Sequence, residues 1–363
     1  MSNPYGFTVF ADGNSVGNVQ TIDIRGGRQQ LTDPFRAVTI TITGRNLSTF
    51  PNVQIGQRLE CSLVSGLPFP SALFDGVVSD VQITYGVVAN MDTWTITGEN
   101  SLAQAGRAVV SVFWSAGITT YEAAELLVNE TTLNISQLGA FSSSLVSAQT
   151  LTDVNVLEVL NQLVFTEQAR IYSYQQGDIQ WVPRSSYAYA TPSFELTDGT
   201  ISTLGLNLYG YQNVIFKAQA DSYFTRTIVE PVGLAAQSSG TSDRVFVGKS
   251  YDQTTTQAAN LADYVQAQLE ISQDVPAQVR ILCEAYTDLQ NPMAAAIAGL
   301  GEGMLIKLGL RGSEYDVLVE GSVISSTPEA TYVTLFLSSA EARNFFILDS
   351  STFGVLDSSR LGF

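Results

Sequence analysis

Gly56-Gln57-Arg58-Leu59, Phe74-Asp75-Gly76-Val77-Val78 and Thr93-Trp94-Thr95-Ile96-Thr97 have counterparts late in the chain. These are Gly301-Glu302-Gly303-Met304, Val319-Glu320-Gly321-Ser322-Val323 and Thr331-Tyr332-Val333-Thr334-Leu335. Gly56 aligns with Gly301 and Gly76 with Gly321 at a shift of 245 residues, and Trp94 with Tyr332 at 238, so one loop is shorter in the second copy. Three strand-like segments in one order at nearly one offset indicate a β-module carried twice. The expected fold class is therefore mainly β with α+β insertions: two similar β-barrel domains separated by small α+β domains. A chain with one module twice presents two similar faces to a neighbour of higher symmetry.

Outward from these segments, residues 1–105 read as the first β-barrel domain. Val16–Ile24 and Ala37–Ile42 alternate or run apolar at strand length, with β-branched residues throughout. Gly26-Gly27 and Asp33-Pro34 punctuate them, and Arg58–Val64, Leu73–Tyr85 and Met91–Gly98 continue the pattern. Residues 106–195 change to α+β character. Thr119-Thr120-Tyr121-Glu122 is a capping box opening a helix to about Asn129. A second helix is expected from near Thr152 to Ala169, then a hairpin of Ile171–Tyr174 and Ile179–Val182 across a Gln-Gln-Gly-Asp turn. Residues 196–340 form the second barrel domain, with an inserted helix over 254–270 capped by Thr254 and Gln257. Its strands are expected at Val279–Tyr286, Met304–Leu308, Asp316–Ile324 and Tyr332–Leu337, and Gly233–Asp243 as a mobile loop.

Residues 341–363 carry a second, short repeat: Ile347-Leu348-Asp349-Ser350-Ser351-Thr352-Phe353-Gly354, then Val355-Leu356-Asp357-Ser358-Ser359-Arg360-Leu361-Gly362. Asp-Ser-Ser favours turns, and the apolar positions need a surface to bury against. Ile347, Leu348, Phe353, Val355, Leu356, Leu361 and Phe363 are the candidate assembly residues. The tail docks on a neighbouring subunit or lies over its own domain; the sequence leaves both readings open.

Hydrophobic residues make up 45% of the 363 and charged ones only 14%, and mean hydropathy is slightly positive. That balance suits a protein whose surface is partly covered by other subunits. The longest small-apolar stretch, Met293–Leu300, is too short to span a membrane, so no membrane anchor is expected. Met1–Tyr5 has no signal-peptide character. The net charge of −17 and the lack of clustered Lys or Arg disfavour nucleic-acid binding, and an acidic lining would let DNA pass without gripping it. Cys61 and Cys283 are expected as buried free thiols, with a disulfide as the alternative.

Nothing in the sequence builds an active site, and no cofactor or metal is expected. The chain has no histidine, which removes Ser-His and Cys-His hydrolases and His-ligated zinc. Glu122 with Glu125, and Glu195 with Asp198, are the visible carboxylate pairs for glycan hydrolysis, and helix-start or loop roles explain them more simply. Tyr172, Tyr174, Trp181, Tyr187 and Tyr189 form either a sugar platform or, as preferred here, a packed hairpin face.

Taken in order, several motifs resemble the hub, or minor tail, proteins of tailed bacteriophages. They are Arg25-Gly26-Gly27-Arg28, Asn46, Phe50-Pro51, Gly56–Leu59, Phe74–Val78, Arg170–Tyr174, Gly177–Trp181, Phe345–Asp349 and Leu356–Phe363. The resemblance spans nearly the whole chain. It implies a structural, non-enzymatic virion protein at the phage tail tip, assembled in the host cytoplasm. Such a protein is a homotrimer whose six barrels meet a six-fold tube and enclose a DNA channel. The implied partners are the distal tail or tail tube protein, the tape measure protein and the tail tip or fibre proteins, with genomic DNA passing through unbound. Relatives often continue into a peptidoglycan-cleaving or fibre domain, which is not expected within these residues. The alternatives are a distal-tail ring component, normally hexameric with one barrel, or a cell-wall glycan hydrolase or carbohydrate-binding tail module.

Overall fold

The computed structural model describes residues 7–45, 50–63, 72–88, 91–139, 141–173, 177–188, 192, 194–197, 205–207, 211–216, 224–241, 244–271, 275–284 and 302–340. Strands dominate, and fourteen of them join in one sheet. Period-two patterning explains the central ones. In Thr39–Arg45, Ile40 and Ile42 are buried while the threonines stay partly exposed. In Val19–Gly27, Ile22 and Ile24 are buried in the same way.

The first half contributes the hydrogen-bonded order Val19–Gly27, Thr39–Arg45, Thr93–Glu99, Ala72–Thr84, Arg58–Leu63, Phe7–Ala11. The second half contributes Tyr211–Phe216, Pro276–Glu284, Ala330–Ser339, Ser313–Ser326, Leu305–Leu310, Phe194–Thr197. These are the same path. The last pairing is antiparallel in the first half and parallel in the second. The two halves differ mainly by an insertion in the second, where residues 217–275 replace the short link between Gly27 and Thr39. The insertion holds a three-stranded sheet and the helix Thr255–Ile271.

Irregularities repeat as well as strands. Ser79 is the extra residue of a bulge where Val78 faces Gly98 and Asp80 faces Thr97; Glu320 is extra where Val319 faces Leu337 and Gly321 faces Phe336. A second bulge leaves Gln20 extra between Val19 and Thr21, and Gln212 extra between Tyr211 and Asn213. The lead-in turn matches too. Gly56 N–H donates to the Val78 carbonyl at 2.8 Å, and Gly303 N–H to the Val319 carbonyl at 2.7 Å, with φ of +88° and +79°. That left-handed backbone is what glycine supplies at both sites.

These registers correct the alignment read from residue types. Gly56 corresponds to Gly303 rather than to Gly301, which lies outside the described residues. Across the matched bulges Val78 corresponds to Val319, so Gly76 pairs off with Val317 rather than Gly321. Trp94 matches Val333, not Tyr332; Trp94 and Val333 are both buried, whereas Tyr332 is only partly so. No closed barrel forms among the described residues.

One core unites both halves of the large sheet, from Phe7 and Trp94 to Leu335 and Leu337. A second core lies in the middle segment around Trp114, Leu127, Leu160 and Trp181. There the helix Thr120–Asn129 forms with its predicted capping box. The next helix is Val156–Glu167, later than expected: the strand Gln149–Asn155 precedes it, and Asn155 caps it by accepting from Glu158 N–H at 3.0 Å. The hairpin Arg170–Tyr172 with Asp178–Val182 forms as expected. Gly233–Asp243, expected as a loop, contains the strand Gln237–Gly240 paired with Arg226–Pro231. The helix Thr255–Ile271 begins at the predicted cap, where Gln257 N–H donates to Thr254 Oγ1 at 3.2 Å.

Candidate assembly site

The two halves meet edge to edge. Val19–Gly27 pairs antiparallel with the far part of Ser313–Ser326: Gly27 faces Gly321, Arg25 faces Val323, Ile24 faces Ile324 and Asp23 faces Ser325. Gly27 has φ +74°, and a Cβ there would lie 2.5 Å from Gly321 Cα, so side chains larger than hydrogen would part the strands.

Beside this seam sits an ionic knot. Its centre is Glu320, the extra residue of the bulge, turned inward and 1% exposed. Arg28 Nε donates to Glu320 Oε2 at 2.7 Å, and Arg170 Nη2 donates to Oε1 at 2.6 Å. Ser338 Oγ donates a further short hydrogen bond to the same carboxylate. The Arg28 N–H also donates to the Glu320 carbonyl at 3.0 Å. Arg28 leaves the first half's edge strand, Arg170 opens the middle hairpin, and Glu320 belongs to the second half, so one carboxylate joins all three parts. Arg28 further lies over the Phe35 ring, 4.6 Å from its centroid. Phe35 is held by Asn161 of the helix Val156–Glu167, which accepts from its N–H at 2.8 Å and donates to its carbonyl at 3.2 Å.

Burial would raise the Glu320 carboxyl, but the Arg170 and Arg28 charges overcome it and hold it at about 2. Glu302, also buried, is pushed up to about 8 by burial and by the Glu320 charge, with Arg170 opposing. Two carboxylates thus sit at one junction, one held ionised and the other held protonated near neutrality. A groove of about 600 Å³ lies next to Arg28, between residues 31–37, the helix Val156–Glu167 and residues 246–249, with Phe35, Phe165 and Phe246 among its lining.

The candidate chemical residues are accounted for singly. Glu122 closes the capping box, its carboxylate accepting from Thr119 N–H at 2.7 Å. Glu195 lies on the strand Phe194–Thr197; its expected partner Asp198 is outside the described residues. Trp181 is fully buried and donates to Ser142 Oγ at 3.0 Å, but it faces Ile171 across the hairpin while Tyr172 faces Gln180, so Tyr172, also buried, lies on the opposite face and the expected single aromatic face does not form. Tyr174 and Tyr189 lie outside the described residues. Cys61 is a free, fully buried thiol that burial pushes up to about 12. Among the described residues no acid, Cys or His cluster could hold a metal, and no helix is long and apolar enough to cross a membrane. The tail residues Ile347, Leu348, Phe353, Val355, Leu356, Leu361 and Phe363 lie outside the described residues.

Arg25, Arg28, Arg58 and Lys307 each have an acidic partner. Arg25 meets Asp23 at 2.6 Å, Arg28 meets Glu320, Arg58 meets Glu60 and Asp75 at 2.6 Å each, and Lys307 meets Glu314 at 3.2 Å. Sequence reasoning missed Arg28, Arg170, Glu302 and Glu320 as a group. The one sequence signal was the lone acid in the otherwise uncharged run Val317-Leu318-Val319-Glu320-Gly321-Ser322-Val323-Ile324.

No family model matches this sequence, and no curated protein matches it. Solved structures do. The tail protein from Neisseria meningitidis MC58 superposes with a TM-score of 0.64 at 11% identity, over 93% of this chain and 96% of that one. The 43 kDa tail protein of prophage MuSo2 from Shewanella oneidensis gives 0.62 at 11%, over 93% and 98%. The E. coli c3393 protein, a type VI secretion component structurally similar to T4 tail proteins gp27 and gp5, gives 0.52 at 12%, over 92% and 77%. The chain therefore has the fold of phage tail proteins, in line with the resemblance read from its sequence.

Proposed function

We propose that this protein is a structural, non-enzymatic hub at the distal end of a phage tail. Three copies form a ring, each contributing two barrel-like modules bounded near residues 1–105 and 196–340. The 106–195 segment braces them, and 341–363 docks on a neighbour. The six modules meet a six-fold distal tail or tail tube protein on one side. On the other side the three-fold tip receives tip or fibre proteins, and the tape measure protein and genomic DNA occupy the axis. The observation that carries this reading is the repetition of strand path, lead-in glycine and both bulges in the two halves, on a fold shared with tail proteins. A two-module chain gives six quasi-equivalent units only when three copies close. The ion-paired Arg25, Arg58 and Lys307 suit a channel that does not hold phosphates.

Native mass spectrometry of the purified protein tests this. The expected species has three times the 39.1 kDa chain mass. A stable monomer or a six-chain ring would count against the hub and, for six chains, in favour of a distal-tail ring component.

A further inference from the structure

The seam inside the chain has a quasi-equivalent that the single chain leaves open. We propose that a second copy fills it: residues 211–216 of one copy pair antiparallel with residues 80–85 of the next, in the register of the internal seam. This rests on the ring reading above and names its contact.

The register follows from the matched bulges. The bulge at Ser79 and Glu320 carries residues 80–85 onto 321–326, and the bulge at Gln20 and Gln212 carries 22–24 onto 214–216. At the internal seam Ile24 faces Ile324, Asp23 faces Ser325 and Ile22 faces Ser326. Substitution gives Phe216 opposite Ile83, Ile215 opposite Thr84 and Val214 opposite Tyr85.

Both edges are open among the described residues. Residues 321–326 have strands on both sides, Ala330–Ser339 and Val19–Gly27. Residues 80–84 pair only with Thr93–Glu99, and Tyr211–Phe216 only with Pro276–Glu284. Burial records the difference. Under the internal seam Ile324 is 3% exposed and Ser326 0%; their counterparts Ile83 and Tyr85 are 41% and 74% exposed. Val87, Val88 and Met91 extend the exposed apolar rim beyond Tyr85. An apolar open edge is an aggregation hazard unless something covers it. Each chain offers one edge of each kind, and among the described residues its own two are not paired with each other. The contact is therefore head-to-tail, which closes into a ring when the rotation permits.

Paired cysteines read the register directly. T84C with I215C should cross-link between chains, giving covalent species up to the full ring, while D23C with S325C should cross-link within one chain and report the internal seam. The wild-type chain, with only Cys61 and Cys283, is the background. An assembled ring with the internal control closed but no T84C–I215C bond overturns the proposed edge and leaves the ring standing. A monomer with the internal control closed overturns both. If the internal pair also stays open, lysine variants decide. I83K, at the counterpart of the buried Ile324, should raise the concentration for half-assembly by about tenfold or more, while F113K on the exposed middle-segment strand should not. Unchanged assembly in I83K overturns the proposal.

Discussion

Replacing Glu320 by Gln keeps the volume of the side chain and removes its charge. Arg170 and Arg28, whose side chains are 3% and 10% exposed, then share a junction without their counter-ion. Removing one partner of a buried ion pair costs about 3–5 kcal/mol, because the remaining charge stays desolvated. Glu302 offsets part of this. Its carboxyl is pushed up partly by the Glu320 charge, so once that charge is gone it ionises more readily beside Arg170. The expected loss at neutral pH is therefore at the lower end, about 3 kcal/mol. The double variant E320Q/E302Q should lose more than the sum of the two single changes. Urea unfolding followed by tryptophan fluorescence reads this, because Trp94, Trp114 and Trp181 are all fully buried. A loss below about 1 kcal/mol, the range of an exposed pair, would refute the claim that the knot holds the three parts together.

Stability should also depend on pH through Glu302. Its folded value of about 8 lies above the ordinary 4.5, so its contribution is intact below pH 4.5 and is lost as pH rises toward 8. E302Q should match wild type near pH 4 and exceed it by a few kcal/mol at pH 8; parallel curves from pH 4 to 9 would contradict this. Glu320 works in the opposite window, its stabilisation present above pH 4.5 and lost as pH falls toward 2. Gly27→Ala should cost more than about 2 kcal/mol, since the new Cβ meets Gly321 Cα and Glu302. Gly13→Ala, at φ +76° with nothing within 4 Å, should cost only about 1 kcal/mol, and equal losses would show that strand contact is irrelevant. In a Cys283→Ser chain, Cys61 should react with a thiol reagent only on unfolding; prompt reaction at pH 8 would contradict its burial.

Local chemistry was legible in the sequence, and long-range register was not. The caps at Thr119 and Thr254 were readable because donor and acceptor lie three residues apart. The central strands of both halves were readable from period two, whereas Phe7–Ala11, Phe194–Thr197 and Tyr211–Phe216 were not singled out. The start of the helix Val156–Glu167 was misplaced because Leu151-Thr152-Asp153-Val154 has helix-compatible apolar spacing, yet Asp153 adopts a left-handed φ of +51° within an exposed strand. The repeat was found but set a few residues off. Glycines were matched by type, whereas the register is fixed by bulges at residues as unlike as Ser79 and Glu320. The knot joins positions 292 and 150 residues apart, a separation that no local pattern encodes.

The central claim is three chains presenting six like modules around an axis. An image reconstruction of the purified assembly, computed without imposed symmetry, tests it most directly. The account predicts a three-fold particle in which six β-modules alternate between internal seams and inter-chain seams around an open channel. A particle with one module per repeating unit, or a lone chain with residues 80–85 and 211–216 uncovered, would contradict it.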